Sequence, residues 1–337
     1  MTHDGRLGME GRSLIDRKGT EDKWEPSPGL HRFAVAVAVL TVFLLVAGAL
    51  VTSNEAGDSV PDWPLSFGRW LINSNYFVAN VRYEYSHRVI AGVVGFTTFI
   101  LAVWAWKTER RAWVRRLALI AFGGVVAQAL IGGVRVLLPH YKPMIAVPHA
   151  LVAQSFFGVL VALAVFTSRG WWAQQQVNID SRRPGLRSLT ALTVGAVLIQ
   201  LVLGAGFRHQ AFGIIPHIVG AVAVALLVVW TASKVLGRSD NDSYLRRPAI
   251  ASVGLLFVQV ALGIGAYIAR VRSAGDPQPL EPLISLTAAH VVVGALTLAT
   301  MTVLMLRCYR ALAPSGERAS GIAGATRLGS STQGAAV

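Results

Sequence analysis

A single cysteine, Cys308, stands in this chain of 337 residues. A disulfide, an iron–sulfur cluster or a cysteine zinc site built within one chain is therefore excluded. Cys308 itself, at the end of an apolar run, reads as a passive helix residue. Charge is equally scarce: 14% of residues are charged, against about 25% in soluble domains. Acids are the rarer half, 17 against 31 Lys and Arg, for a net charge of +14. In a soluble protein that excess would point to nucleic acid. Here the basic residues lie in short segments between apolar runs, and no basic domain exists to carry such binding. What the chain has in quantity is hydrophobic residues, 53% of the total, at a mean hydropathy of +0.53. That places it among membrane proteins.

Eight apolar runs are long enough to cross a bilayer, which takes about 20 residues each. The expected spans are 31–53, 86–107, 114–138, 147–167, 187–207, 214–234, 248–270 and 283–308. The first is too long for a signal-peptide core and reads as a retained helix. Residues 1–30 and 311–337 are polar or small and read as disordered cytoplasmic tails. Basic residues set the orientation: 23 lie in the tails and alternate loops on one side, and 8 on the other. Both termini are thus expected in the cytoplasm. Trp104, Trp106, Trp113, Trp171, Trp172 and Trp230 fall at the cytoplasmic edges, where an aromatic belt belongs. The acidic N-terminal stretch makes a poor transit peptide, which favours a prokaryotic plasma (inner) membrane.

Within this frame four histidines recur. His87, His149 and His217 start the second, fourth and sixth spans, and His290 lies about two turns into the eighth. All four share the outer leaflet. Ionisable groups inside a membrane are costly and mark function, and facing imidazoles on neighbouring helices are a way to hold haem iron from both sides. The alternatives are histidines hydrogen-bonded between helices, or a proton relay. The third, fifth and seventh spans repeat one pattern: Gln128-Ala-Leu-Ile-Gly132, Gln200-Leu-Val-Leu-Gly204 and Gln259-Val-Ala-Leu-Gly263. Gly48-Ala49 in the first span resembles Gly204-Ala205. Residues 31–168 and 187–310 therefore read as a parallel duplication about an axis along the membrane normal. The expected fold is all-α: eight transmembrane helices as two pseudo-symmetric four-helix bundles, each with one histidine pair. Gly220, Gly294 and Ala153, one turn beyond His217, His290 and His149, would leave room for a flat macrocycle.

The first half also carries Glu84-Tyr85-Ser86-His87. The carboxylate stands three residues before the imidazole, where it would accept a proton, orient the ring or simply favour the helix N-terminus. The second half has Gly213-Ile-Ile-Pro-His217 and no carboxylate. One reactive site and one electron-transfer site would explain that asymmetry. The loop 54–85 holds Val60-Pro-Asp-Trp-Pro-Leu-Ser-Phe-Gly68, stiff enough to cap the first bundle. Arg82, Arg88, Arg135, Arg208, Arg270 and Arg272 sit at the histidine level, where anionic propionates would need partners. His140 and His209 read as surface loop groups, and His3 and His31 as tail residues.

Leu50-Val-Thr-Ser53, Pro61-Asp-Trp-Pro-Leu-Ser-Phe-Gly68, Glu84-Tyr-Ser-His-Arg88, Gln128-Ala-Leu-Ile-Gly-Gly133, Pro148-His149-Ala150, Gly204-Ala-Gly-Phe-Arg-His209 and Ala289-His290 together resemble the haem A synthase family. The resemblance covers residues 31–310. It implies that the N-terminal bundle takes haem O as substrate and oxidises a ring methyl to a formyl group by successive hydroxylations, for cytochrome oxidase assembly. His87 and His149 would face that haem, and Glu84 would be the catalytic carboxylate. The C-terminal bundle would hold haem b between His217 and His290. All four histidines would then be iron ligands. Haem O synthase and a membrane electron donor are the implied partners, besides the lipid bilayer; nucleic acid is not one, and a homo-oligomer is left open. Many family members carry a cysteine pair in an outer loop, and this chain has none. Asp58 also stands where the family is usually apolar. Two other functions compete: a di-haem b electron carrier without chemistry of its own, and a histidine-relay transporter. The absence of interrupted helices with intramembrane carboxylates counts against the transporter.

Overall fold

A computed structural model describes residues 25–174, 178–180, 183–238, 243–276 and 280–314. Of the expected tails at 1–30 and 311–337, residues 1–24 and 315–337 lie outside the described residues, whereas residues 28–30 belong to the first long helix, 311 to the last, and 312–314 to a short strand. Among those described, eight helices are long and apolar enough to cross a membrane. They are α1 (Pro28–Ser53), α2 (Val81–Thr108), α3 (Ala112–Leu137), α4 (Lys142–Phe166), α6 (Leu186–Arg208), α7 (Ile215–Leu236), α8 (Ser243–Arg272) and α9 (Glu281–Ala311), with a short α5 (Arg169–Ala173) after α4. Several begin earlier than hydropathy suggests, α2, α4 and α8 by five residues. The first turns carry Arg82 and Glu84 in α2, Lys142 in α4, and Arg246 and Arg247 in α8. Such groups are compatible with helix outside the hydrocarbon but invisible to an apolar window. Ser27 caps α1, its hydroxyl accepting from the Leu30 N–H at 3.4 Å, and Pro28 occupies the first turn, where no N–H is needed.

Apolar residues of every size fill the interior, Leu30, Leu101 and Leu160 among them, and apolar residues also cover the outside. Small residues such as Ala34, Ala118, Ala249 and Ala295 are buried between helices, where they let backbones approach. Large apolar side chains such as Phe96, Leu226 and Phe257 face outward. Buried threonines satisfy themselves on the preceding turn: Thr41 donates to the Val37 carbonyl and Thr98 to that of Val94. Thr193 and Thr231 bridge α6 to α7 at 3.0 Å. Ser53 and Thr287 bridge α1 to α9 at 2.8 Å.

Helices α1 to α4 close one ring of neighbours and α6 to α9 another. The rings meet through α1 with α9, α4 with α6, and α4 with α9. Exchanging α1, α2, α3, α4 with α6, α7, α8, α9 maps this set of packing pairs onto itself, as a two-fold between halves requires. At the opposite end from the histidines, the strands β1 (Asn178–Asp180) and β2 (Leu312–Pro314) pair in parallel. They clip the connection between halves to the end of α9. The Asp180 carboxylate there accepts from the Leu186 N–H and so starts α6.

Candidate functional site

Each of the four histidines rests against a glycine of the preceding helix. A Cβ built on Gly48 would lie 3.1 Å from His87 Cε1. The distances are 3.4 Å for Gly132 to His149, 3.0 Å for Gly204 to His217 and 2.9 Å for Gly263 to His290. A Cβ at Gly48, Gly204 or Gly263 would force the imidazole to shift, whereas at Gly132 it would just touch the ring. The Gln-xxx-Gly repeat therefore has a second purpose besides helix packing. Its glycine seats the ring, and its glutamine, one turn away on the same face, binds the same histidine. Gln128 Nε2 donates to the His149 carbonyl at 2.7 Å. Gln200 Nε2 lies 2.9 Å from both His217 Nδ1 and the His217 carbonyl. His290 Nδ1 lies 3.1 Å from the Gln259 carbonyl, while Gln259 Nε2 reaches His290 Nε2 at 3.2 Å. In His290, donation through Nδ1 to the Gln259 carbonyl leaves on Nε2 the lone pair that a metal ligand needs and that the Gln259 amide approaches. The glutamines are site residues that the sequence showed only as a repeat. The room expected beside Gly220 and Gly294 is taken by these same side chains, since Gln200 packs on Gly220 and Gln259 on Gly294. The glycines there admit an amide before they admit a macrocycle.

In the C-terminal bundle the rings of His217 and His290 face each other with centroids 6.2 Å apart, at an interplanar angle of 76°. Two metal–nitrogen bonds of about 2 Å each, plus the ring centre-to-nitrogen distance on both sides, span roughly that gap. The N-terminal pair, His87 and His149, are electrostatic neighbours. The Nδ1 atoms of both are buried without a hydrogen-bond partner. A buried polar atom left unsatisfied is costly, and an acceptor of that kind suits a metal. Both pairs thus fit a group held between two imidazoles.

Glu84 lies in the first turn of α2 and is buried. Its carboxylate does not touch His87. Oε1 accepts from Arg88 Nη2 at 2.7 Å and Oε2 from the Val60 N–H at 2.9 Å. Arg88 in turn gathers the outer loop: Nη1 donates to the carbonyls of Asp62 at 2.7 Å and Leu65 at 2.9 Å, and Nη2 to that of Val60 at 3.1 Å. Asp62 closes the turn by accepting from the Phe67 and Gly68 N–H groups, both at 2.7 Å. Phe67 and Gly68 adopt φ of 55° and 71°, a left-handed pair that those bonds hold in place. Burial pushes the Asp62 carboxyl up, but these N–H groups and Arg88 outweigh it and hold it below its usual range. Trp63 packs its ring on Gly133 of α3, and Arg135 Nη1 donates to the Gly57 carbonyl at 3.1 Å. The loop is the stiff cap expected, and its keystone is the Glu84–Arg88 pair.

The outer arginines divide accordingly. Among the described residues Arg88 alone of the six pairs with a carboxylate. Arg208 Nη2 donates to the Thr52 carbonyl at 2.9 Å, tying α6 to α1. Arg270 lies over the Phe207 ring and Arg82 over Tyr83. Two histidines differ from expectation. His31 lies in the first turn of α1, not in a tail, with Nδ1 3.0 Å from the Ala164 carbonyl. His209, at the end of α6, is no plain surface group. Burial first, then Arg208, Arg135 and His149, lower its pKa from 6.5 to about 4. The tight turn to α7 folds it back toward the other bundle, which no local pattern signals. Folded His209 stays neutral where the unfolded chain takes up a proton, so stability is expected to rise with pH between about 4 and 6.5. His209→Gln should flatten that part of the curve, as thermal unfolding at several pH values would read. Identical profiles would refute the placement.

Eight spans in two rings, each with a histidine pair seated on glycines, define a multi-pass membrane protein. A family model described as "Cytochrome oxidase assembly protein" (COX15-CtaA) matches residues 71–216, which include Glu84, His87 and His149. A Heme A synthase of Symbiobacterium thermophilum is 30% identical over 265 residues, 68% of this chain and 83% of that one. One from an Exiguobacterium species is 28% identical over 251 residues, 70% and 82% of the two chains. The match to a Heme A synthase of Geobacillus kaustophilus is 30% over 156 residues, about half of each, 45% and 49%. The chain belongs to the haem A synthase family, whose members are multi-pass membrane oxidoreductases of haem A biosynthesis.

Proposed function

We propose that this protein converts haem O to haem A, oxidising a ring methyl to a formyl group by successive hydroxylations, in the service of cytochrome oxidase assembly. His87 and His149 hold the substrate haem in the N-terminal bundle, and His217 and His290 hold a resident haem b in the C-terminal one. Bound there, haem b supplies one-electron transfer to or from the neighbouring site. The chain's own contribution is positional. Glycines 48, 132, 204 and 263 fix the ring seats, and Gln200 and Gln259 hold the rings of two of them. The capped outer loop keeps water from the first site, and Arg135 and Arg208 offer N–H groups to propionates. Glu84 moves the proton at the reacting methyl through a carboxylate oxygen, its charge held ready by Arg88 and the Val60 N–H. Both termini lie in the cytoplasm and both haem sites in the outer leaflet half, by the distribution of basic residues. Haem O synthase and a membrane electron donor complete the pathway around it.

The observation that carries this reading is the asymmetry of two otherwise matched sites: a buried carboxylate one turn from the histidine in the first, none in the second. Glu84→Gln keeps the side chain's shape and the Val60 contact. Expressed with a haem O supply, it is expected to give no haem A, by extraction and chromatography, while the purified protein still binds haem b. Undiminished haem A would sink the catalytic role of Glu84. A red wild-type protein that never forms haem A or a hydroxylated intermediate would favour the di-haem carrier, and a colourless one the transporter.

A further inference from the structure

We propose that the seam between the two bundles holds one anionic phospholipid, in the leaflet opposite the histidines. A groove of about 550 Å³ runs between α1 and α4 of the first bundle and α8 and α9 of the second. Its polar lining is gathered at one end: His31 in the first turn of α1, Ser168 just past α4, Tyr244 at the start of α8 and Arg307 in the last turns of α9. These positions lie together because the two halves run in the same direction. The rest is apolar, with Val39 and Phe157 among its walls. From His31 to Val42 the groove follows α1 for about 16 Å at 1.5 Å per residue, close to the roughly 15 Å hydrocarbon depth of one leaflet. An amphiphile with one head and an extended chain has that shape.

Charge chooses the head. Arg307 donates through Nη1 to the Tyr244 carbonyl at 2.8 Å and lies 4.5 Å over the Tyr244 ring. These contacts orient the guanidinium without neutralising it, and no carboxylate pairs with it among the described residues. The polar end of the groove lies at the end of the protein that carries the basic loops. Basic pockets between helices on the cytoplasmic side recognise anionic lipid headgroups, and a guanidinium fork matches a phosphate. Spanning α1, α4, α8 and α9, the lipid would join halves that otherwise meet through three helix contacts.

The test uses the full-length protein purified in detergent, with native mass spectrometry to count lipids retained. The probes are phosphatidylglycerol and phosphatidylcholine of the same acyl composition. The expected result is one phosphatidylglycerol retained where phosphatidylcholine is lost. Arg307→Gln should weaken that retention about fivefold, the effect of one surface cation on an anionic lipid, and Arg307→Lys should largely restore it. Val39→Trp, which fills the apolar wall at an exposed position and leaves the charge alone, should also expel the lipid. Equal retention of the two lipids, or undiminished retention in both Arg307→Gln and Val39→Trp, would overturn the proposal. So would an isoprenoid quinone recovered from the wild-type protein in place of phospholipid.

Discussion

His290→Ala is expected to leave the C-terminal bundle without bound haem, while His87→Ala leaves that haem in place. The difference follows from geometry. His217 and His290 face each other at 6.2 Å, so removing one leaves a single ligand for a group that the pair is spaced to hold. Gln200 Nε2 reaches both the Nδ1 and the carbonyl of His217. Gln200→Ala should therefore act in the same direction with a smaller effect, about 10–100-fold in affinity, typical for partners that orient a ligating imidazole. Haem content per chain and the absorbance spectrum of the purified variants read both. The decisive comparison is His87→Ala with His290→Ala. Equal haem loss in the two would mean that the bundles are not separate sites. An unchanged spectrum in His290→Ala would remove His290 from the ligand set.

Arg88→Ala carries the largest expected cost in stability. Arg88 and Glu84 are mostly buried, with side-chain exposures of 16% and 5%. Deleting one partner of a buried pair leaves the other charge uncompensated, at about 3–5 kcal/mol. Arg88 also satisfies the carbonyls of Val60, Asp62 and Leu65, so its loss should free the outer loop as well. Limited proteolysis between residues 54 and 80 should accelerate in Arg88→Ala, and the thermal midpoint should fall. The Glu84→Gln, Arg88→Met double variant removes both charges together and should recover part of that stability. Stability recovered without product would separate the structural use of Glu84 from its catalytic one. A loop that resists protease as well as the wild type would show that Arg88 is not its keystone.

Much of this protein is written in its sequence because a bilayer imposes a simple rule. Apolar runs of sufficient length must be helices, so the eight spans could be read directly, with errors at helix ends, the largest in first turns such as Val81–Glu84 of α2. The duplication was equally visible, since each Gln-xxx-Gly lies within one helix, and so was the recurrence of His87, His149, His217 and His290 at one depth. Local sequence could not say what these repeats touch. Gly263 and His290 are separated by a helix end, a loop and two turns, and only packing of α8 on α9 puts one beneath the other. Gln200 and Gln259 became ring partners, and Gly220 and Gly294 the spaces that admit them, through the same interhelical packing. Spacing placed Glu84 near His87 and equally one turn before Arg88 on the same helix, yet only tertiary structure brought to its carboxylate a backbone N–H 24 residues earlier. His209 and His31 changed character for the same reason. Burial and partners are properties of neighbours far along the chain, and a residue's own surroundings in sequence do not encode them.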